Sequence, residues 1–383
     1  METKQMVEGK PRCFGVVYEV AKEDYDPPKG WVNLPKVDLV PFAEVEDYRG
    51  VKWSDFRDYA DLCFKEFGDK IKLWTTINEP WTYASIGYDS GQFAPGRCSA
   101  WMNNSCVAGD SATEPYIVGH HMLLAHAEAA KVYRTKYRAL QKGEIGIVLV
   151  SRWFEQYSKT KEDAKAAKRA IDFMFGWFID PLTSGDYPEN MRRLVQDRLP
   201  KFTTEQAEMV KGSYDFLGLN YYTSNYASNV SPYKVNISYS RDSQVNETTE
   251  RNGKLIGEPT GSSVFFAVPE GLHKFLVYTK KKYKNPTIYV TENGMSDANV
   301  TGVQQGVNDF QRVDFYRRHL LALNAALKDG VIVKGYFAWS LLDNFEWNSG
   351  YTQRFGINFI DYTDNLKRHP KLSGLWLKKF LLK

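Results

Sequence analysis

The sequence lacks the cysteine patterns and long apolar runs that mark several classes of protein. Its 383 residues include only four cysteines, and none forms a Cys-x-x-Cys pair, so we expect no zinc site and no metal. No stretch approaches the roughly 18 apolar residues that a membrane-spanning helix needs. Residues 1–12 are mostly polar or charged and contain no apolar signal-peptide core. We therefore expect a globular protein with neither a membrane span nor a signal peptide.

The chain also has little excess charge, since its formal net charge is only +4. The densest basic run is KKKYK at residues 280–284, directly after an apolar-periodic segment that begins near Leu272. Lysines suit the C-terminal end of a helix because that end carries partial negative charge. We interpret the run as a solvated helix end and expect no nucleic-acid partner.

Aromatic residues are abundant, at 15% of the chain. Aromatic rings can stack on the flat apolar faces of sugars, so this composition is compatible with a sugar-binding site. A core that is simply rich in rings would have the same composition. Composition alone leaves both interpretations open.

Short β-rich runs alternate with amphipathic helices from about Ser54 onwards. We predict helices at residues 54–67, 114–137, 161–178, 272–284, 309–328 and 372–380, and strands at 71–77, 145–150, 215–221, 287–291 and 333–339. Continuous apolar strands separated by long helices indicate a parallel sheet that is covered on both sides. The polar residues 228–261 are interpreted as a surface excursion.

This pattern predicts the α/β class and an incomplete (β/α)8 TIM barrel. About five of the eight βα units that a closed barrel needs are recognisable. Residues 1–53 form an atypical segment with one plausible strand near residues 13–20, too short for three complete units. We expect the first three strands to be missing or replaced, and residues 54–383 to form the barrel region.

Two glutamates directly follow predicted buried strands. Glu79 comes after the strand at 71–77, and Glu292 comes after the strand at 287–291. The C-terminal ends of barrel strands are where catalytic groups lie, and a pair of carboxylates is what glycoside hydrolysis requires. Taken separately, each glutamate could equally be a solvated acid in a turn.

Several ordered motifs resemble family 1 of the glycoside hydrolases, and in particular its plant β-glucosidases. TTINEP at 75–80 is similar to the family's acid/base motif, and TENG at 291–294 is similar to its nucleophile motif. Further matching motifs are NYYT at 220–223, WSLLDNFEW at 339–347, RFG at 354–356 and KRHP at 367–370. The resemblance covers the chain from about Ser54 to its end.

The resemblance implies a retaining β-glucosidase that acts by double displacement. Glu292 would be the nucleophile that forms a glycosyl-enzyme ester, and Glu79 would be the general acid and then the general base. Retention requires their carboxyl groups to lie about 5–5.5 Å apart. The charge of Glu292 would raise the pKa of Glu79 in the free enzyme.

Five further residues receive substrate-binding roles from the same resemblance. Asn78 would bind the sugar 2-hydroxyl, and Tyr222 would hold Glu292 in line. Glu346 and Trp347 would bind the outer hydroxyls, and Trp339 would offer a stacking ring. The three aromatic side chains could alternatively be core rings.

The resemblance also indicates the substrate class. Thioglucosidases of the family carry glutamine at the place of Glu79, and its phosphoglycosidases lack a pair like Glu346-Trp347. The expected substrate is a small-molecule, unphosphorylated β-glucoside, and no cofactor is implied. His120, His121 and His126 are interpreted as helix-packing and surface residues rather than metal ligands.

The loop from Cys98 to Cys106 resembles a disulfide loop of the plant branch. Together with sequons that start at Asn103, Asn229, Asn236, Asn246 and Asn299, it suggests a secretory ancestry. The family would therefore suggest an extracellular or vacuolar location, whereas the sequence shows no signal peptide.

Two alternatives to hydrolysis remain open at the level of sequence. A transglucosidase would use the same residues with an acceptor other than water. A truncated, catalytically impaired form is the other, because the family's sugar-binding glutamine and histidine and the arginine beside its nucleophile have no recognisable counterpart. The aglycone and the oligomeric state cannot be inferred from the sequence.

Overall fold

The structure, a computed structural model, describes residues 13–14, 53–298 and 300–382. Its centre is a curved parallel sheet with the strand order β1-β7-β6-β4-β3-β2, to which β5 adds antiparallel to β4. The strands are β1 Cys13–Phe14, β2 Leu73–Asn78, β3 Glu144–Gln156, β4 Phe216–Asn229, β5 Val245–Thr248, β6 Ile288–Asn293 and β7 Val333–Ala338. The five predicted strands are confirmed as β2, β3, β4, β6 and β7.

Helices separate these strands in the order that the sequence predicts. They are α1 Trp53–Phe67, α2 Glu114–Val132, α3 Lys161–Ile171, α4 Trp177–Ser184, α5 Glu189–Val195, α6 Thr204–Val210, α7 Pro269–Lys282, α8 Phe310–Lys328 and α9 Leu372–Leu381. Alternation of parallel strands and covering helices gives the expected incomplete (β/α)8 architecture. Within the described part of the chain, no helix combines the length and apolarity that crossing a membrane requires.

The core lies between the strands and the helices that cover them. On β3, Ile145, Ile147 and Leu149 are all at most 2% exposed, because every second side chain points to the same face. Leu272 and Phe275 of α7 are fully buried against this layer. Each fully buried side chain of this size contributes about 1.5–3 kcal/mol to folding.

Strands β3 and β4 are longer than their apolar runs predict. Beyond Val150 their pairing continues from Trp153 opposite Ser224 to Gln156 opposite Ala227. Residues 226–229 of β4 also pair with β5. Backbone pairing can extend a strand past its apolar residues because the hydrogen bonds do not depend on side-chain type.

Residues 161–178 are helical, as predicted, but they do not form one continuous α-helix. A π-helical turn, Asp172–Gly176, separates α3 from α4, and α4 continues to Ser184. Lys281, Lys282 and Lys284 are exposed, as expected for a solvated helix end. Lys282 also forms ion pairs, since its Nζ lies 2.9 Å from a carboxylate oxygen of Asp172 and 3.3 Å from one of Asp180.

The expected surface excursion at residues 228–261 is partly buried. Tyr239 is only 6% exposed, and its hydroxyl donates to the carbonyl oxygen of Phe173 at 2.7 Å. The same hydroxyl accepts a hydrogen bond from the indole of Trp81 at 2.6 Å. The sequence does not predict this contact, because the segment is mostly polar and a single tyrosine anchors it.

The plausible strand near residues 13–20 is described only at Cys13–Phe14. These two residues pair in parallel with Gly335 and Tyr336 of β7. The rest of that predicted strand, and the remainder of residues 1–52, lie outside the described residues.

Candidate active site

The two candidate glutamates lie at the C-terminal ends of β2 and β6. The sheet order places β3 and β4 between these strands. Asn220 of β4 donates to the carboxylate of Glu79 at 2.7 Å, and the charge of Glu79 contributes to raising the pKa of Glu292. Residues 213 positions apart in sequence numbering are thus brought together by the parallel sheet.

Glu79 has an unusual backbone conformation for a residue with a Cβ. Its φ of 49° lies in the left-handed region, which non-glycine residues adopt at an energetic cost and mostly at functional sites. Its amide donates to the carbonyl oxygen of Val148 at 2.9 Å, so pairing with β3 holds this geometry. The half-buried side chain is thereby directed out of the strand end.

Both carboxylate oxygens of Glu79 accept hydrogen bonds from neutral side chains. Asn220 donates through Nδ2 to Oε1 at 2.7 Å. Thr82 donates through Oγ1 to Oε2 at 2.8 Å. The carboxyl plane is therefore fixed from both sides.

Glu292 is 9% exposed and is held by Tyr222. The tyrosine hydroxyl donates to Oε2 at 2.5 Å. The ring of Tyr222 stacks on Phe265, with centroids 5.1 Å apart and planes inclined by 12°. This packing fixes the donor and so orients the carboxylate.

Asn220 connects the two glutamates, and the sequence analysis assigned it no role. It is fully buried, and its Nδ2 also donates to Oδ1 of Asn78 at 3.1 Å. Its own Oδ1 accepts from Thr291, which directly precedes Glu292, at 2.6 Å. Its place in the motif NYYT was the one available signal, but its partners become evident only when β4 lies between the two glutamate-bearing strands.

Burial raises the pKa of both glutamates above the usual range of a carboxyl group. For Glu292 the charge of Glu79 raises the pKa further, while hydrogen bonds from Tyr222 and Asn220 oppose the shift. For Glu79, hydrogen bonds from Asn220 and Thr82 oppose the effect of burial. Two interacting carboxyls in such a site titrate as a pair, so one proton is retained while the other group is ionised.

The loop after β7 brings Glu346 toward this pair. The charge of Glu346 acts on both Glu292 and Tyr222. Close packing of two loops is possible because of Gly294, where a Cβ would lie 2.0 Å from the backbone oxygen of Trp339. Trp339 is half-buried, and its amide donates to the carbonyl oxygen of Asn293 at 3.0 Å.

Trp347 is arranged differently from the other predicted sugar-binding residues. It is 53% exposed and stacks on Phe93, with a centroid separation of 4.6 Å and an angle of 2°. Next to it, the side-chain amide of Asn348 donates to the carbonyl oxygen of Gln92 at 2.5 Å. These contacts join the segment after β2 to the loop after β7 across the mouth of the cleft.

The remaining predicted residues lie outside the cleft. Cys98 and Cys106 form a disulfide bond, as the resemblance implied. His120 is hydrogen-bonded to Tyr187 at 2.9 Å, and His126 to Thr76 at 2.7 Å. Over residues 53–298 and 300–382, no group of three or more histidine, cysteine or carboxylate side chains could hold a metal.

Cavity size does not identify the site. A cavity of about 770 Å³ is lined by side chains from residues 184–211, and neither Glu79 nor Glu292 contributes to it. The carboxyl groups of Glu79 and Glu292 at two strand ends, both with a raised pKa, mark the candidate site instead.

Comparison with known proteins identifies a well-populated family. The family model of glycosyl hydrolase family 1 matches residues 49–383. β-Glucosidase 12 of Oryza sativa subsp. indica is 57% identical over 333 residues, which are 86% of this chain and 65% of that protein. Furcatin hydrolase of Viburnum furcatum is 58% identical over 327 residues, 85% of this chain and 60% of that protein. The chain thus spans less than two thirds of the length of these relatives.

Solved structures show the same architecture. The rice β-glucosidase Os3BGlu6 superposes with a TM-score of 0.85 at 46% identity, covering 88% of this chain and 73% of that one. A β-glucosidase from the fungus Humicola insolens, solved in complex with glucose, gives a TM-score of 0.83 at 40% identity and covers 89% and 70%.

Proposed function

Since this chain belongs to glycosyl hydrolase family 1, we propose that it is a retaining β-glucosidase that removes the terminal β-glucosyl group of a small-molecule glucoside. One observation supports this most strongly: Asn220 donates to Glu79 and also hydrogen-bonds Glu292, and the charge of Glu79 raises the pKa of Glu292. The relatives' names, β-glucosidase 12 and furcatin hydrolase, are in keeping with this substrate class.

In the first step, ionised Glu292 attacks the anomeric carbon and forms an ester with it. Protonated Glu79 transfers its proton to the glycosidic oxygen as the bond between that oxygen and the anomeric carbon breaks. The hydrogen bond from Tyr222 directs the attacking carboxylate. The raised pKa of Glu79 keeps its proton available for this transfer.

In the second step, water attacks the same carbon on the face opposite its bond to Glu292. Ester formation has removed the charge of Glu292, so the pKa of Glu79 falls and its carboxylate accepts a proton from the water. The bond between the anomeric carbon and Glu292 then breaks, and glucose leaves with the β configuration. Two inversions give net retention.

The sugar ring would be held by residues around the pair. Asn78 binds the 2-hydroxyl, Glu346 and Trp347 bind outer hydroxyls, and Trp339 stacks on the ring. The position of Asn78 beside Asn220 and the charge of Glu346 near Glu292 support these roles. For Trp347, binding a hydroxyl is compatible with its stack on Phe93 because the indole nitrogen is at the ring edge.

Release of nitrophenol from a nitrophenyl β-glucoside tests this function. We expect the full chain to release it, and Glu292→Gly and Glu79→Gly to lose activity by at least about a thousandfold, equivalent to about 4 kcal/mol or more. Azide separates the two roles, because it fills the space that each variant leaves. Glu292→Gly should give α-glucosyl azide, and Glu79→Gly should give β-glucosyl azide.

The product also distinguishes hydrolysis from transfer. With an added alcohol, a hydrolase releases mainly glucose, whereas a transglucosidase releases mainly the alkyl β-glucoside. If the folded chain releases no nitrophenol, the proposed function is wrong for this polypeptide.

A further inference from the structure

Thr82 contacts the carboxyl group that changes protonation state in the proposed reaction. It is 7% exposed and begins the π-helical turn Thr82–Ile86, one turn after Glu79. Its backbone amide donates to the carbonyl oxygen of Glu79 at 2.9 Å, and its hydroxyl donates to Oε2 at 2.8 Å. The same residue therefore holds both the backbone and the side chain of Glu79.

The two side-chain partners of Glu79 differ chemically. The Nδ2 group of Asn220 can only donate, so it favours the ionised carboxylate whichever step the reaction has reached. A threonine hydroxyl can donate, accept or rotate away, because its proton turns about the Cβ–Oγ bond. Thr82 can therefore accommodate both the protonated and the ionised form of Glu79.

We propose that Thr82 is a positioning residue that sets the balance between the acid and base forms of Glu79. The inference rests on the proposed function, because it assigns Thr82 to the acid/base carboxyl of that reaction. Its hydroxyl donates to the carboxylate in the glycosyl-enzyme, where Glu79 acts as base. It stops donating when Glu79 carries the proton that the first step transfers.

The direction of the effect follows from the hydrogen bond. A donor stabilises the charged form, so the Thr82 hydroxyl lowers the pKa of Glu79 against the effect of burial. Among the described residues, the other titratable groups that act on this site are Glu292 on β6, Glu346 in the loop after β7 and Tyr222 on β4. Replacing Thr82 changes none of them, so the effect of its hydroxyl can be isolated.

Thr82→Val removes the hydroxyl and keeps the shape of the side chain. We expect the pKa of Glu79 to rise by about one unit, because a hydrogen bond to a charged group is lost. The alkaline limb of kcat/KM should move to higher pH by the same amount, since Glu79 must be protonated for the first step. Thr82→Ser keeps a hydroxyl and should restore the original profile.

Thr76, which lies on β2 shortly before Glu79, provides a matched control. Thr76→Val also removes a threonine hydroxyl, but one that contacts His126 and the carbonyl oxygen of Gly146 rather than either glutamate. It should leave the alkaline limb where it is. Thr82→Ala provides a second variant without the hydroxyl should the valine disturb the turn.

Difference infrared titration measures the same quantity without substrate. The carboxyl band that disappears in Glu79→Gln reports Glu79, and its midpoint should move upward in Thr82→Val but not in Thr82→Ser or Thr76→Val. An unchanged midpoint in both Thr82→Val and Thr82→Ala overturns the inference. A wild-type chain that titrates as expected but releases no nitrophenol would instead refute the proposed function.

Discussion

Neutral donors stabilise Glu292 in the part of the chain that the structure describes. In the described residues its hydrogen bonds come from Tyr222 and Asn220, and no lysine or arginine forms an ion pair with it. Burial and the charge of Glu79 both raise its pKa. In the proposed reaction, the tyrosine hydroxyl would therefore help to keep this carboxylate ionised for its attack on the sugar.

Tyr222→Phe should make Glu292 a weaker nucleophile at neutral pH. The attack requires ionised Glu292, so kcat/KM rises with pH through the pKa of this group. Losing the 2.5 Å hydrogen bond raises that pKa, and the acid limb should move upward by about one pH unit. At neutral pH, kcat/KM should therefore fall by up to about tenfold.

The pH dependence of kcat/KM for Tyr222→Phe checks this prediction. Tyr226→Phe is a suitable control, because Tyr226 lies on the same strand and its ring packs against Tyr157 rather than against either glutamate. If Tyr222→Phe keeps the wild-type acid limb, the hydroxyl does not stabilise the ionised form of Glu292.

Sequence predicts charged residues at strand ends better than it predicts their neutral partners. Glu79 and Glu292 were identifiable because each follows a buried strand, and such positions share one edge of a parallel sheet. Asn220 and Thr82 were not, because an amide or hydroxyl in a motif acquires its role from the side chain that it meets. The roles proposed for these residues stay predictions until they are measured.

At the scale of elements, one buried carboxylate anchors the loop that carries Glu346 and Trp347. Asp343 is 4% exposed and accepts from the Nζ of Lys371 at 3.0 Å and from Arg354 at 2.7 Å. The backbone amides of Gly356 and Ile360 complete its hydrogen bonds. Because Lys371 immediately precedes α9, this carboxylate ties the loop after β7 to the last helix.

Asp343→Asn should destabilise the protein and loosen this loop. The change removes the carboxylate that pairs with Arg354 and leaves Lys371 with only Asp297, at 3.5 Å, and breaking a buried ion pair in this way costs about 3–5 kcal/mol. The midpoint of chemical denaturation should fall, and KM for the glucoside should rise because Glu346 is held less firmly. Both quantities are measurable on the same preparation.

Asp364→Asn provides the matched control for this variant. Asp364 pairs with Lys367 at 3.7 Å on the surface, where both side chains are more than 60% exposed. Surface pairs contribute at most about 1 kcal/mol, so stability and KM should hardly change. Equal effects of the two substitutions would contradict the anchoring role of Asp343.

Element boundaries were predictable where apolar periodicity decides them. The helix expected at 309–328 is α8, Phe310–Lys328, because its buried residues recur with helical spacing. The ends of β3 and β4 were not predictable, since their last residues are held by backbone pairing with each other and with β5. The π turn Asp172–Gly176 likewise lies within a segment for which the sequence predicts one continuous helix.

At the scale of the whole molecule, strand order is what creates the site. Strands β2, β4 and β6, with β3 between β2 and β4, bring Glu79, Asn220, Tyr222 and Glu292 to one edge of the sheet. The alternation of strands and helices predicted this parallel arrangement, and the match to family 1 over residues 49–383 agrees with it. No local pattern could show how closely the two carboxyls approach, because the curvature of the sheet decides that distance.

Trapping the glycosyl-enzyme tests the central claim, that Glu79 and Glu292 act on one sugar, most directly. A 2-deoxy-2-fluoro-β-glucosyl fluoride slows both steps but keeps a good leaving group, so the ester with the nucleophile accumulates. Mass spectrometry of the full chain should show one fluoroglucosyl group, and peptide mapping should place it on Glu292. A chain that acquires no label, or acquires it on another residue, would contradict the account.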